Sequence, residues 1–404
     1  MPAYIGFAGL WRLLLSGLEI FRLGPLLEAH LERNPDDAAA MMDMATLLIL
    51  TLIPENRGPA FALQARALEM QQLYRLPAAR KGAGLRVLAI ASPGDMTAIT
   101  HLDCLLEDSD VELLMLYARP QRPLPSPLPD HDLVFVSAGE SVPNRPLLKQ
   151  IESFTNASTK PVLNAPDRIL RLSRDSVSAL LKPVPGIVMP MTMAVGRHSL
   201  EQVGRAERPL AAILEDGVFP IIARPLDSQG GKDLAKLDGP AAIADYLRTA
   251  ADGEFFVSRF VDYSAPDGLF RKYRVVLIAG RPYACHMAIS THWMIHYVNA
   301  DMDASAAKRD EEARFMADFD TRFALRHQHS LAGIDALMGL DYYGIDCAET
   351  ADERLLVFEV DTAMLVHAMD PPDLYPYKRA QMRKLFGAFR SMLLTAVESA
   401  GQGK

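Results

Sequence analysis

The chain has 404 residues, half of them hydrophobic and 23% charged, with a net charge of −8. That length points to two or three domains with cores of ordinary size. The acidic balance disfavours a nucleic-acid surface. Three widely spaced cysteines, Cys104, Cys285 and Cys347, disfavour a disulfide framework and a zinc ribbon and fit a reducing cytoplasm.

Residues 1–80 read as helices. Phe7, Leu10, Trp11, Leu14, Leu18 and Phe21 fall on one helical stripe. Arg12 and Glu19 interrupt the apolar start, so no signal peptide is expected. Residues 44–53 are too short an apolar run to span a bilayer, which needs ~20. In NPDD at 34–37, Asn34 is the expected helix cap, with Pro35 in the first turn. Pro54 should end that helix and Gly58-Pro59 should start the next, running to about residue 74. Paired helices after NPDD faintly resemble a tetratricopeptide repeat, without a second copy.

Residues 81–84 read as a linker into a small parallel α/β domain over 81–165. Strands are expected at 85–91, 111–117 and 133–137, with helices at 96–107 and 145–154. A helix is expected from Pro166 to about 181, in a third domain over 166–404. Strands are then expected at 219–223, 255–261 and 273–278, and a last helix at 378–399.

The stretch 337–361, LMGLDYYGIDCAETADERLLVFEVD, reads as a hairpin. Period-two alternation puts Leu355, Val357, Glu359 and Asp361 on one face. A turn at Asp352-Glu353 would pair Ala351 with Arg354 and set Asp346 opposite Glu359. Three carboxylates would then gather. A divalent cation would turn their repulsion into attraction, and oxygen ligands suit Mg²⁺ or Mn²⁺. A solvated acidic strand face is the alternative reading.

The order of the later motifs resembles the ATP-grasp superfamily over about 85–395. The carrying pieces are NAPDRILRLSRD, FPIIARP, DSQGGKDLAKL, EFFVSRFVDY, GLDYYGIDCAE and LLVFEVD. The implied fold is α/β (α+β): a helical front region, a small parallel domain that precedes the ATP-grasp unit, and the ATP-grasp domain itself. RKYRVVLIAGRPYACHMAISTHWMIHY resembles bacterial proteins that join a helical, tetratricopeptide-like front end to such a module. The ribosomal-protein glutamate ligase and D-alanine–D-alanine ligase types are more distant.

The resemblance implies roles for individual residues. Arg174 and Arg224 would face the nucleotide where lysines are usual. Ser228, Gln229, Gly230, Gly231 and Lys232 would form a lid over the phosphates, and Arg259 and Phe260 would lie beside adenine. Arg274 would stabilise the transferred phosphoryl group. Asp346, Glu359 and Asp361 would hold Mg²⁺ (or Mn²⁺) on ATP, with Asp361 standing where Asn is usual. His286, Ser290 and His296 are candidate substrate contacts. His292 and His296 have the i, i+4 spacing of helical zinc ligands but lack the accompanying Glu. His327-Gln328-His329 reads as an exposed helix face.

The implied activity is an ATP-dependent carboxylate–amine or carboxylate–thiol ligase that forms an acyl phosphate and releases ADP. Two alternatives stay open. One is a nucleotide-binding module without turnover whose residues 1–80 recruit a protein partner; the other is a kinase.

Overall fold

A computed structural model describes residues 4–16, 20–82, 84–120, 122–226, 228 and 230–402. Leu18, Ala83 and Gln229 therefore lie outside the described residues. The chain divides into two compact units. Unit 1 comprises 1–170, 340–343 and 362–404, and unit 2 comprises 171–339 and 344–361. Among the described residues no helix is long and apolar enough to cross a membrane.

Four helices open unit 1: α1 (Gly6–Leu15), α2 (Ile20–Arg33), α3 (Ala38–Leu50) and α4 (Pro54–Met70). The start of α3 differs from expectation. Asp37, not Asn34, is its cap, with the Asp37 carboxylate accepting from Ala40 N–H at 3.1 Å. Asn34 instead donates back to the His30 carbonyl at 3.1 Å, just past the end of the preceding helix. Pro54 occupies the first turn of α4, and Gly58-Pro59 lie inside that helix. A proline at the first turn loses no helical hydrogen bond, so this start outcompetes the later one.

Leu10, Leu23 and Leu47 form a core between α1, α2 and α3. The start of α1 has no capping side chain of its own. Two distant carboxylates supply the acceptors instead. Asp43 of α3 accepts from Ile5 N–H at 3.0 Å and Gly6 N–H at 3.1 Å, and Asp103 accepts from Ala8 N–H at 2.7 Å. This satisfies donors that a helix start otherwise leaves without acceptors.

The rest of unit 1 is a five-stranded sheet: β1 (Leu73–Leu76), β2 (Arg86–Ala91), β3 (Glu112–Tyr117), β4 (Leu133–Val136) and β5 (Val162–Leu163), ordered β1-β3-β2-β4-β5. Strands β2, β3 and β4 are parallel as expected, β5 adds a further parallel strand, and β1 is an antiparallel edge. The expected helix to residue 74 stops at Met70, because Leu73–Leu76 pairs with β3. The expected helix over 96–107 shrinks to α5 (Leu102–Leu105). Asp95 closes a turn by accepting from Thr97 N–H at 3.0 Å, and Ile99 bridges to Ala138. Both bonds hold the backbone of 95–99 out of a helix.

Helix α6 (Arg145–Asn156) and the single turn α7 (Pro166–Ile169) follow, and a 25-residue C-terminal helix (Lys378–Gln402) completes the unit. Its Phe389 packs on Phe135 and Tyr342, with ring centroids 5.7 and 5.2 Å apart. Its Arg390 makes two 2.6 Å bonds to Asp110.

Unit 2 starts at α8 (Arg174–Leu181), because the expected 166–181 helix is broken between α7 and α8. It continues through β6 (Ile187–Val188), β7 (Thr192–Gly196), α9 (Arg197–Gly204), β8 (Ile221–Pro225), β9 (Ala235–Leu237), α10 (Pro240–Thr249) and β10 (Glu254–Arg259). Then come β11 (Phe270–Ile278), β12 (Arg281–Ser290), α11 (Ala306–Asp318), α12 (Phe323–Arg326), α13 (Gln328–Met338), β13 (Tyr342–Glu349) and β14 (Leu355–Asp361). These strands form two sheets, β7-β10-β8-β9 and β12-β11-β13-β14-β6. The first packs on α9 and α10 through a core that includes Leu200, Ile221, Ile243 and Phe255. His327 is buried rather than exposed, because it bonds to Glu349 at 2.8 Å.

Burial pushes the Asp43 carboxyl up to about 7, against the lowering effect of the Ile5 and Gly6 N–H groups. A raised folded-state pKa means that its contribution is fully present below the unfolded value near 3.8 and is lost as pH rises through about 7. The wild type should therefore lose stability relative to Asp43→Asn between pH 4 and pH 7, measured by urea unfolding at both. Asp43→Ala should cost about 1–3 kcal/mol by orphaning the two amide donors.

Candidate functional site

The hairpin β13–β14 sets Asp346 opposite Glu359, but by a different route from the expected one. The turn is longer, since Thr350 N–H donates to the Arg354 carbonyl at 3.0 Å and Glu349 pairs with Leu355. Cys347 then faces Val357, and a β-bulge at Phe358 absorbs one residue before Asp346 meets Glu359. A bulge puts two residues of one strand opposite one of its partner. The strict alternation expected across Val357 and Glu359 is therefore broken. Val357 is buried, whereas Glu359 is only half-buried.

Asp346 is buried on the central strand of its sheet. Arg274, on the adjacent β11, grips it with Nε to Oδ1 at 2.7 Å and Nη2 to Oδ2 at 3.0 Å. Lys272 Nζ adds a bond to Oδ2 at 2.9 Å. Lys272 and Arg274 are two apart on one strand and so share a face. Burial alone would raise the Asp346 pKa, but the charges of Arg274 and Lys272 hold it well below the usual carboxylate range. Arg174, the first residue of α8, pairs with Glu359 and also donates to the Phe358 carbonyl at 3.3 Å.

These cations bear on the expected metal ligands. Among the described residues no group of three or more His, Cys, Asp or Glu side chains is placed to hold a metal ion. Asp346 has been drawn to Arg274 and Lys272, and Glu359 to Arg174. Asp361 stands opposite Gly344, half-buried. In kind, the three oxygen donors suit a hard cation. Their arrangement places cations on two of them.

Arg224 lies on β8, buried and opposite Phe256 of β10. Its Nη2 donates to the Ser228 carbonyl, while its Nε is buried without a partner. Burial first, and the nearby charge of Arg174 second, push its guanidinium down to about 9. An anion placed here would offset both effects.

The glycine stretch after β8 is a tight loop. Gly230 and Gly231 have φ of 60° and 72°, values that glycine adopts without steric cost. Ser228 Oγ donates to the Lys232 carbonyl, and the Ser228 carbonyl accepts from Arg224. Lys232 is exposed.

His296 lies against this loop, where a Cβ at Gly231 would overlap its Nε2. That nitrogen is buried and has no partner. Burial, then Lys272, lowers the His296 pKa, which keeps the ring neutral at pH 7. The segment 292–296 is not helical, so the i, i+4 spacing of His292 and His296 does not bring them onto one face. His286 is the cross-strand neighbour of Arg274, and its ring lies tilted against Tyr297 with centroids 4.9 Å apart. Ser290 pairs across the ladder with Phe270, and its Oγ accepts from His292 N–H at 3.1 Å.

Arg259 ends β10 and pairs with Asp216 at 3.3 Å. Phe260 follows outside the strand, with Lys236 Nζ 4.4 Å above its ring and Trp293 edge-on at 5.7 Å. A half-buried aromatic flanked by a cation and an indole offers a flat ring a stacking surface.

Sequence reasoning missed Lys272, Lys236 and Trp293. Lys272 had a usable signal in its period-two spacing from Arg274. Lys236 and Trp293 had none, because they reach Phe260 from distant segments.

No protein-family model matches this chain, and no curated protein matches it. Two of the solved structures similar to this chain are these, both at low scores. The VanG D-Ala:D-Ser ligase of Enterococcus faecalis is 12% identical, covers 78% of this chain and 99% of its own, and has a TM-score of 0.47. A RimK-domain ATP-grasp protein of Sphaerobacter thermophilus is 17% identical, covers 76% of this chain and 99% of its own, and has a TM-score of 0.41. At these scores neither likeness assigns a family to this chain.

Proposed function

We propose that unit 2 binds ATP and that the chain is an ATP- and Mg²⁺-dependent (or Mn²⁺-dependent) ligase. It would join a carboxylate to an amine or thiol through an acyl phosphate, with release of ADP. The observation that carries this reading is a cation cluster whose donors are not all used. Arg174, Arg224, Lys272 and Arg274 converge around Asp346 and Glu359, and Arg224 Nε and His296 Nε2 are buried without partners. Such donors suit a polyphosphate. The order of the sequence motifs supports the same reading.

In this mechanism the substrate carboxylate attacks the γ-phosphorus, the bond to the β,γ-bridging oxygen breaks, and ADP leaves. The amine then attacks the acyl carbon, the C–O bond to phosphate breaks, and one proton passes to the departing phosphate. Arg274, oriented by Asp346, stabilises charge on the transferred phosphoryl group. Arg174 and Arg224 grip the ATP phosphates, Lys272 adds a point charge, and neutral His296 donates from the lid side. Phe260 carries the adenine. When bound, Mg²⁺ (or Mn²⁺) would supply charge neutralisation, and Asp346, Glu359 and Asp361 would hold it once ATP draws Arg274, Lys272 and Arg174 off the first two.

A second reading is a nucleotide-binding module without turnover, with residues 1–80 recruiting a protein partner. Its support is that both Asp346 oxygens are already taken by cations. Calorimetry with Mg²⁺ and ATP, followed by ADP assays over a panel of acids with amines or thiols, separates the two. Absence of ATP binding would remove both readings, and binding without ADP release would favour the module.

Asp346→Asn and Glu359→Gln should each abolish ADP formation. Full activity in both variants would exclude these carboxylates from the site. Arg274→Lys keeps a charge for Asp346 but loses the fork. ADP release should fall about 100-fold, the scale of one lost charge-stabilising donor, with ATP affinity little changed. A pure affinity loss would contradict the assigned role. Arg274→Ala is the poorer test, because stripping a buried partner from Asp346 costs about 3–5 kcal/mol of stability.

A further inference from the structure

Unit 1 contains a cleft of about 870 Å³ that the nucleotide reading does not use. It lies between the end of α1, the segments 80–81 and 105–110, and the start of the C-terminal helix. Its volume is within the range of small-molecule sites, roughly 300–1,000 Å³.

The charge of the cleft is opposite to that of the chain. Seven lining residues are Lys or Arg and four are Asp or Glu, a surplus of three positive charges in a chain of net −8. Three of the cations are committed to the fold: Arg12 to Glu107, Lys378 to Asp370, and Arg390 to Asp110. Arg80 is exposed and close enough to Asp110 to help lower its pKa. Lys81, Arg379 and Arg383 are exposed and make no ion pair among the described residues.

The placement of Arg379 and Arg383 runs against helix electrostatics. They occupy the first two turns of the C-terminal helix, whose first turn contains no acidic residue. A helix start carries positive partial charge and favours anions, so Arg379 and Arg383 repel both it and each other. An i, i+4 pair stands on one face, with Cβ atoms about 6 Å apart. Two guanidinium forks at that spacing offer bidentate donors to neighbouring phosphate groups. Half-buried Phe386 and buried Tyr375 give the same cleft an apolar wall.

We propose that this cleft is a binding site for a small molecule bearing two or more phosphate groups, with Arg379 and Arg383 as its principal contacts. The site stands independently of the ATP site in unit 2. A ligand there would neutralise the surplus charge and compensate the unfavourable helix start.

Equilibrium dialysis of labelled inorganic pyrophosphate against the full chain tests this. The Arg379→Gln/Arg383→Gln pair should lose one equivalent of pyrophosphate relative to wild type, or bind that equivalent at least tenfold more weakly. The Arg379→Lys/Arg383→Lys pair should fall between them, because charge is kept and the forks are lost. Both substitutions are at exposed positions, and thermal unfolding at or above the wild-type temperature would confirm folding. ATP affinity should be the same in all three proteins. Equal pyrophosphate binding by wild type and the Gln pair overturns the proposal, as does no binding by wild type at 1 mM, roughly the weak end of specific affinity. Citrate should compete at least tenfold more weakly; equal competition would overturn the phosphate assignment. A parallel loss of ATP affinity in the Gln pair would place ATP itself in this cleft and overturn the claim of a separate site.

Discussion

The buried ion pair between Asp346 and Arg274 organises unit 2. It joins the central strand of the five-stranded sheet to its neighbour β11 through side chains as well as through the backbone ladder. Taking both charges out of water is costly, and only their close geometry and the extra bond from Lys272 offset it. The remaining charges follow from this arrangement. With Asp346 committed on its own sheet, Glu359 is left to Arg174, and Arg224 feels Arg174 as a like charge in a buried setting. The result is a cluster of cations around two carboxylates, with Arg224 Nε left buried and without a partner.

The strands were legible because runs such as LRVLAIA and VELLMLY have the continuous apolar character of strands buried on both faces. Helix starts were harder. Asn34 and Asp37 are both good caps, and the choice turned on Asn34 bonding back to His30, a competition that residue preferences do not resolve. Strand β1 was hidden because LYRL continues a helical pattern until β3 offers it an edge.

The hairpin shows how a correct pairing can rest on an incorrect path. Period two predicted Asp346 opposite Glu359, and that pairing is present. The turn is one residue longer and the Phe358 bulge compensates for it. A bulge leaves no mark in a period-two pattern, so the reversal of faces between Val357 and Glu359 was not readable. Neither was the gathering of cations on the carboxylates. It depends on Lys272 and Arg274 lying across a ladder from Asp346, and that requires knowing which strands are neighbours.

Unit 1 is discontinuous in sequence, and this has a consequence for how the chain is made. The sheet face carrying Phe135 is covered by Phe389, more than 250 positions later along a strictly vectorial synthesis. A ribosome adding about 5–20 residues per second leaves that apolar face open while all of unit 2 emerges. The helices, strands β1 to β5 and the acidic acceptors of α1 can assemble first. The wall formed by the C-terminal helix arrives last, together with Arg390 and its partner-seeking guanidinium. For this interval the nascent chain presents an uncovered sheet, the kind of surface that chaperones hold.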